Sequence, residues 1–71
     1  MIHTDVSENS SHVQSISYDP ITKKMEVRFQ NGYLYRGKVS QEHHAAMLAS
    51  DSVGTYYHKH IKDSMSRVIG G

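Results

Sequence analysis

The chain has 71 residues, a net charge of +1 from eight basic and seven acidic side chains, and no cysteine. A domain this small buries only about 60% of the surface that its unfolded chain exposes, so its own core is marginal and self-association is expected. The lack of cysteine excludes a disulfide or thiolate-metal framework. The sequence has no apolar run of the roughly 18 residues that a membrane span needs, and it shows no signal-peptide pattern.

The first predicted element is a strand that follows a loose lead-in. Residues 1–9 show no sustained hydrophobic period, although Val6 is a candidate for docking on the domain edge. Residues 10–18 are rich in β-branched side chains and poor in helix formers, which predicts a strand. Asp19-Pro20 ends it, because proline has no amide donor and favours a turn.

A hairpin is predicted next. Residues 25–30 alternate apolar and polar side chains, the alternation resumes at residues 33–36, and Asn31-Gly32 between them is a strong signal for a hairpin turn. A two-residue loop would pair Phe29 with Leu34 and Arg28 with Tyr35. That register places Met25, Val27, Phe29 and Leu34 on the core side and Arg28, Tyr33 and Tyr35 on the other. A longer loop would exchange the two faces of the third strand.

Two helices complete the predicted domain. Ser40 is a plausible N-cap for a helix over residues 41–49, with Ala45, Leu48 and Ala49 in its buried stripe. A second helix, from Thr55 or Tyr56 to about residue 64, buries Tyr57, Ile61 and Met65. The predicted fold class is therefore α+β, a three-stranded antiparallel sheet (β-meander) followed by two helices packed on one face. The predicted domain spans residues 10–66, and residues 67–71 are expected to be a frayed end.

Three stretches of the sequence together resemble a known family. They are Ser10-Ser11 with Val13, Ile16, Tyr18 and Asp19; Met25, Val27, Phe29, Asn31-Gly32 and Tyr35; and Ser52, Gly54, Tyr56-Tyr57 and Ile61-Lys62. In order and spacing they resemble the KTSC domain family, which is also found at the C-terminus of some lysyl-tRNA synthetases. The sequence departs from the family where Gly37 replaces an aromatic residue and Ser40 replaces a proline. The resemblance implies a stand-alone module of bacteria and phages and no catalytic residues.

The six histidines and the serines give only weak sequence signals of catalysis or metal binding. His43-His44 are adjacent and His58 and His60 lie two apart, unlike the i,i+4 pair of a zinc motif, so no metal site is expected. Ser10, Ser11 and Ser52 could act as nucleophiles, but no nucleophile-elbow motif accompanies them. The alternative is that these serines cap strands and helices. We expect a protein that is not an enzyme and that needs no cofactor.

The segment Ser52–Thr55 and the five tyrosines leave two interpretations open. Small residues before a helix can expose its first amides to an anion, or Ser52 can cap the helix while Gly54 permits close packing. Tyrosines beside basic side chains can stack a base and hold its phosphate, or they can form a subunit interface.

These features together predict a non-catalytic, homo-oligomeric module that binds an anionic, nucleotide-like ligand. The candidate ligand-binding residues are Ser10, Ser11, Arg28, Tyr35, Ser52, Gly54, His58 and Lys62. With the resemblance, they favour a cytoplasmic protein of a bacterium or a phage-infected cell, in which a phage module could sequester a host nucleotide signal. The alternatives are an RNA-binding module, as the relatives attached to a tRNA synthetase imply, and a module that only binds other proteins.

Overall fold

Antiparallel strands form one sheet in which neighbours in the chain are neighbours in space. The computed structural model describes residues 2–8 and 12–69. Its five strands are β1 (Ile2–Asp5), β2 (Val13–Asp19), β3 (Lys24–Phe29), β4 (Leu34–Lys38) and β5 (Met65–Ile69), in that order across the sheet. Between β4 and β5 lie α1 (Gln41–Ala49), α2 (Val53–Tyr56), a π-helical segment (Tyr57–Ile61) and a 3₁₀ turn (Lys62–Ser64). The predicted α+β class is confirmed, but the prediction of three strands is wrong.

The two unpredicted strands form the edges of the sheet. β1 falls within the predicted lead-in and pairs with β2 from Ile2 opposite Tyr18 to Asp5 opposite Ser15. β5 includes part of the predicted frayed end and pairs with β4 through Tyr35 and Arg67. A strand of four or five residues is too short to show a period by itself, so pairing with a longer neighbour defines both edges.

The predicted hairpin is present, but its loop has three residues rather than two. The amide of Phe29 donates to the carbonyl of Tyr33 at 2.8 Å, and the amide of Gly32 donates to the carbonyl of Phe29 at 3.1 Å. Gly32 has a φ of 96°, as expected for a turn that ends in a left-handed glycine bulge. The register therefore moves by one residue. Val27 lies opposite Tyr35 and Arg28 opposite Leu34, so the predicted faces of Tyr35 and Leu34 are exchanged.

Both helices begin at the serines that cap them. The hydroxyl of Ser40 accepts from the amide of His43, and that of Ser52 accepts from the amide of Thr55, each at 3.3 Å. α2 begins at Val53, slightly earlier than predicted. The predicted buried stripe of α1 is wrong in part, because Ala45 and Ala49 are exposed and Met47 is the residue fully buried.

The core lies between the sheet and the helices. The buried hydrophobic cluster contains Val6, Val13, Ile16, Tyr18, Met25, Val27, Val39, Met47, Val53, Tyr57 and Ile61. Val6 thus docks as predicted, and Tyr57 and Ile61 are buried as predicted. No helix among residues 2–8 and 12–69 covers the other face of the sheet, which is called the open face below. Glu26 and Arg36 form an ion pair on it at 3.3 Å.

Gly37, one of the two positions where the sequence departs from the family pattern, lies close to the chain at Ser64 and Met65. A Cβ atom at this position would collide with the backbone carbonyl of Ser64 and would lie 2.7 Å from the sulfur of Met65. The chain that enters β5 therefore occupies the space that a side chain at Gly37 would fill.

Candidate functional site

Aromatic rings gather at the hairpin end of the sheet, on its helix-covered side. The ring centroids of Phe29 and Tyr35 are 5.4 Å apart, those of Tyr33 and Tyr35 are 6.5 Å apart, and Tyr57 lies edge-on to Phe29 at 5.2 Å. The guanidinium carbon of Arg67 lies 5.5 Å from the centroid of the Tyr33 ring, within the range of a cation–π contact. We call Phe29, Tyr33, Tyr35, Tyr57 and Arg67 the aromatic surface. Phe29, Tyr33 and Tyr35 are half-buried, so they pack against the domain and still present ring area to solvent.

Tyr57 is the buried member of the aromatic surface. Its side chain is only 2% exposed, and its hydroxyl has no hydrogen-bond partner in the described structure. Burial, with a smaller contribution from Tyr35, raises the pKa of Tyr57 to about 12. The phenol therefore stays neutral at physiological pH and keeps its O–H as a donor.

A cavity of about 320 Å³ adjoins the aromatic surface at the hairpin loop. It is lined by His12, Phe29, Gln30 and Asn31. The side-chain oxygen of Asn31 accepts from the amide of Tyr33 at 3.1 Å, which ties the loop to the start of β4. Phe29 lines the cavity and also belongs to the aromatic surface, so the two features share this residue.

A second concave feature lies where α1 meets the following helical elements. It has a volume of about 300 Å³, and Asp51, Ser52, Thr55, Tyr56, Lys59 and His60 are part of its lining. We call it the helical cleft. Since the hydroxyl of Ser52 already accepts from the amide of Thr55, the cap satisfies one of the amides that could otherwise face an anion.

Tyr56 connects the helical cleft to two imidazoles. His43 Nδ1 and the Tyr56 hydroxyl are 3.0 Å apart, and the tautomer of His43 decides which of them donates. The His60 ring lies 4.6 Å from that of Tyr56 and 6.2 Å from that of His43, centroid to centroid. His43 comes from α1, Tyr56 from α2 and His60 from the π-helical segment, so packing of α1 against the two later helical elements assembles the cluster.

His44 is held in an apolar setting near the core. Its ring stacks on Tyr18, with centroids 4.2 Å apart and an interplanar angle of 11°. The hydroxyl of Tyr18 donates to the carbonyl of Val39 at 2.7 Å, whereas Nε2 of His44 is buried without a partner in the described structure. Burial lowers the pKa of His44 and raises that of Tyr18.

The structure separates several of the residues predicted to form one site. Tyr35 belongs to the aromatic surface, and exposed His58 adjoins it through Tyr57, with the two rings 5.6 Å apart. Arg28 is exposed on the open face, on the other side of the sheet from Tyr35.

The remaining candidates are distributed over the helical segment and the undescribed part of the chain. Ser52 lines the helical cleft, and Gly54 is buried in α2. Lys62 is exposed in the 3₁₀ turn. Ser10 and Ser11 lie outside the described residues.

Sequence reasoning missed two groups of residues at these features. Arg67 lay in a segment without a predicted element, so nothing placed it beside Tyr33. The cluster of His43, Tyr56 and His60 depends on the packing of α1 against the two later helical elements. Four-residue spacing of Tyr56 and His60 was the available signal for part of this cluster.

Catalysis requires a nucleophile with a base beside a substrate site, and metal binding requires a cluster of ligands. His3 Nδ1 lies 3.0 Å from the hydroxyl of Ser17, but this pair is on the open face and lines neither of the two cavities described above. Within residues 2–8 and 12–69, no group of three or more His, Asp or Glu side chains is arranged to hold a metal ion. No helix in this part of the chain is long and apolar enough to cross a membrane.

Comparison with known proteins identifies the family of this fold. The model of the KTSC domain matches residues 9–64. A protein of Stutzerimonas stutzeri (strain A1501) is 38% identical over 58 residues, which cover 80% of this chain and 82% of that protein. The crystal structure of a KTSC domain protein from Yersinia pestis superposes with a TM-score of 0.80 at 28% identity, covering 99% of this chain and 97% of the other. The chain belongs to the KTSC domain family.

Proposed function

We propose that this KTSC domain is a non-catalytic module that binds an anionic, nucleotide-like ligand on its aromatic surface. The observation that carries the proposal is the placement of Arg67 5.5 Å from the Tyr33 ring centroid, beside Tyr35. A nucleotide needs an aromatic face for its base and a cation for its phosphate, and this surface offers both.

The energies of base stacking and of a charge-assisted hydrogen bond favour the half-buried rings and Arg67 as the binding groups. Stacking of a base on an aromatic side chain contributes about 1–3 kcal/mol, and a charge-assisted hydrogen bond contributes about 1.5–3 kcal/mol. The two together amount to about 2.5–6 kcal/mol, which corresponds to a Kd no tighter than about 40 μM from these two contacts alone. The cavity at the hairpin loop, about 320 Å³ in volume, gives room for the part of the ligand that extends beyond the rings.

Binding without conversion is the role that best fits these features. The hydrogen-bonded pair of His3 and Ser17 lies on the open face, away from the ring cluster and the hairpin cavity. A catalytic nucleophile needs a base, an orienting group and a site that holds the substrate beside them. A module that only holds its ligand lowers the free concentration of that ligand, which is how a phage protein would sequester a host nucleotide signal. Prolonged incubation should therefore return the nucleotide chemically unchanged.

Calorimetric titration with matched ligands and arginine variants tests the proposal. The ligands are nucleoside monophosphates, the corresponding nucleosides, and a short single-stranded RNA. R67Q should weaken nucleotide binding about tenfold or more and leave nucleoside binding within about twofold, because only the phosphate contact is lost. R36Q is the matched control, because Arg36 lies on the neighbouring strand and pairs with Glu26 on the open face.

Several results would contradict the proposal. One is the absence of heat with every nucleotide and with RNA, and another is equal loss of affinity in R67Q and R36Q. R28Q adds a test of the residue that sequence reasoning selected, and a loss in that variant alone would move the site to the open face. Binding of RNA without binding of mononucleotides would assign the surface to the RNA-binding alternative.

Self-association is part of the same proposal. The edge strands β1 and β5 carry Ile2 and Val68, which are 51% and 46% exposed. An uncovered edge strand with apolar side chains is a template for pairing with a second chain. Sedimentation at micromolar concentration should give a mass above the 8.1 kDa of one chain, and V68K should lower it. A monomeric mass for the unmodified protein would rule out this interface.

A further inference from the structure

We propose that the helical cleft is a second and independent binding site, which takes a small oxyanion such as a phosphate or carboxylate group. The donors come from Lys59, His60 and Tyr56, three of the residues that line the cleft, and they are an ammonium, an imidazole and a hydroxyl group. The site shares no residue with the aromatic surface.

The Tyr56 hydroxyl can donate to a ligand when its neighbour His43 donates to it. The contact between His43 Nδ1 and the Tyr56 hydroxyl, at 3.0 Å, can run in either direction. When His43 carries a proton on Nδ1, it donates to the Tyr56 oxygen, and the Tyr56 O–H is released to donate elsewhere. An oxyanion in the cleft stabilises this arrangement, because it accepts the hydrogen bond that Tyr56 then donates.

The charges around the cleft set the sign of the ligand. Lys59 and His60 supply positive or hydrogen-donating groups, and Asp51 supplies the opposing carboxylate. The Asp51 charge weakens the binding of an oxyanion, whereas it would strengthen the binding of a cation or an ammonium-bearing ligand. Substitution of Asp51 therefore distinguishes these ligand classes by the direction of its effect.

Nuclear magnetic resonance of the histidine side chains tests the site directly. Inorganic phosphate and acetate are titrated at fixed pH and ionic strength, and chloride is the control for screening. Phosphate, acetate or both should shift the His43 and His60 signals saturably, and the relative affinities of the two ions identify which group the site prefers. His3 is the internal control, because it lies beside Ser17 on the open face, away from both proposed sites.

Variants with matched controls decide the outcome. K59Q should weaken binding about fivefold or more, while K62Q, an exposed lysine in the following 3₁₀ turn, should change it less than about twofold. D51N should tighten binding, and Y56F should uncouple His43 from the ligand while His60 still responds. R67Q should leave the cleft unaffected, so failure here and failure at the aromatic surface are separable.

Three results would overturn the inference. Equal shifts of the His43 and His60 signals in chloride would show that the bound species is an adventitious ion only. Equal loss in K59Q and K62Q would show that general charge rather than the cleft attracts the anion. Weaker phosphate or acetate binding in D51N would show that the cleft does not take oxyanions in the proposed way.

Discussion

Replacement of Tyr57 by phenylalanine should stabilise the domain. The Tyr57 side chain is 2% exposed, and its hydroxyl has no partner in the described structure, so folding removes that group from water without replacing its hydrogen bonds. An unsatisfied buried polar group costs about 1–3 kcal/mol. Loss of the oxygen also loses a few dispersion contacts, so a net gain of about 1 kcal/mol is expected. For a domain of this size, that gain raises the Tm by about 4–8 °C.

The matched control is Tyr18→Phe, which should have the opposite effect. Tyr18 is as deeply buried, at 1% exposure, but its hydroxyl donates to the carbonyl of Val39 at 2.7 Å. Removal of that donor leaves a buried carbonyl unsatisfied and should cost about 1–3 kcal/mol. Thermal and urea unfolding, followed by circular dichroism at one protein concentration, measure both variants. If Tyr57→Phe destabilises the domain as much as Tyr18→Phe does, the Tyr57 hydroxyl is satisfied in the native state and the reasoning is refuted.

Three further predictions concern packing, pH and the hairpin. Gly37→Ala should lower the free energy of unfolding by more than about 1 kcal/mol in urea titrations, because the added methyl group meets the backbone of Ser64, and an unchanged midpoint would disprove that close approach. Burial lowers the pKa of His44 below 6.5 in the folded state, so the neutral ring contributes its full stability above pH 6.5 and that stability is lost as the pH falls further. His44→Phe should therefore reduce the loss of stability between about pH 7.5 and 5, and His58→Gln should not. Gly32→Val should cost more than about 1 kcal/mol, because Gly32 has a φ of 96°; a melting curve like that of the unmodified protein would contradict the turn.

Local signals were sufficient for the centre of the fold and insufficient for its edges. Asn31-Gly32 located the hairpin and Ser40 located the start of α1, because turn and cap chemistry acts within a few residues. The second helix begins at Val53, before the predicted start at Thr55 or Tyr56. β1 and β5 hold only four and five residues, and each becomes a strand by pairing with β2 or β4. That pairing is a tertiary event, which no short window of sequence contains.

The candidate site was predicted in part, and the register of one hairpin explains much of the rest. One additional loop residue placed Tyr35 on the helix-covered side, where it contacts Phe29 and Tyr57, and left Arg28 on the open face. In a strand, a shift of one residue exchanges every side chain between faces. The cation beside the rings is therefore Arg67, which comes from a strand that sequence reasoning did not predict.

The helical segment after Ser52 explains why two surfaces can be tested separately. Tyr56 contacts His43 and His60 at the helical cleft, whereas the next residue, Tyr57, lies against Phe29 and belongs to the aromatic surface. Successive residues of a helix point in different directions, so neighbours in sequence serve different sites. Removal of the Tyr56 hydroxyl therefore changes only the cleft, and a change at Arg67 affects only the rings. Any ligand whose binding responds equally to both must contact the two surfaces at once, which would require a molecule larger than either cavity.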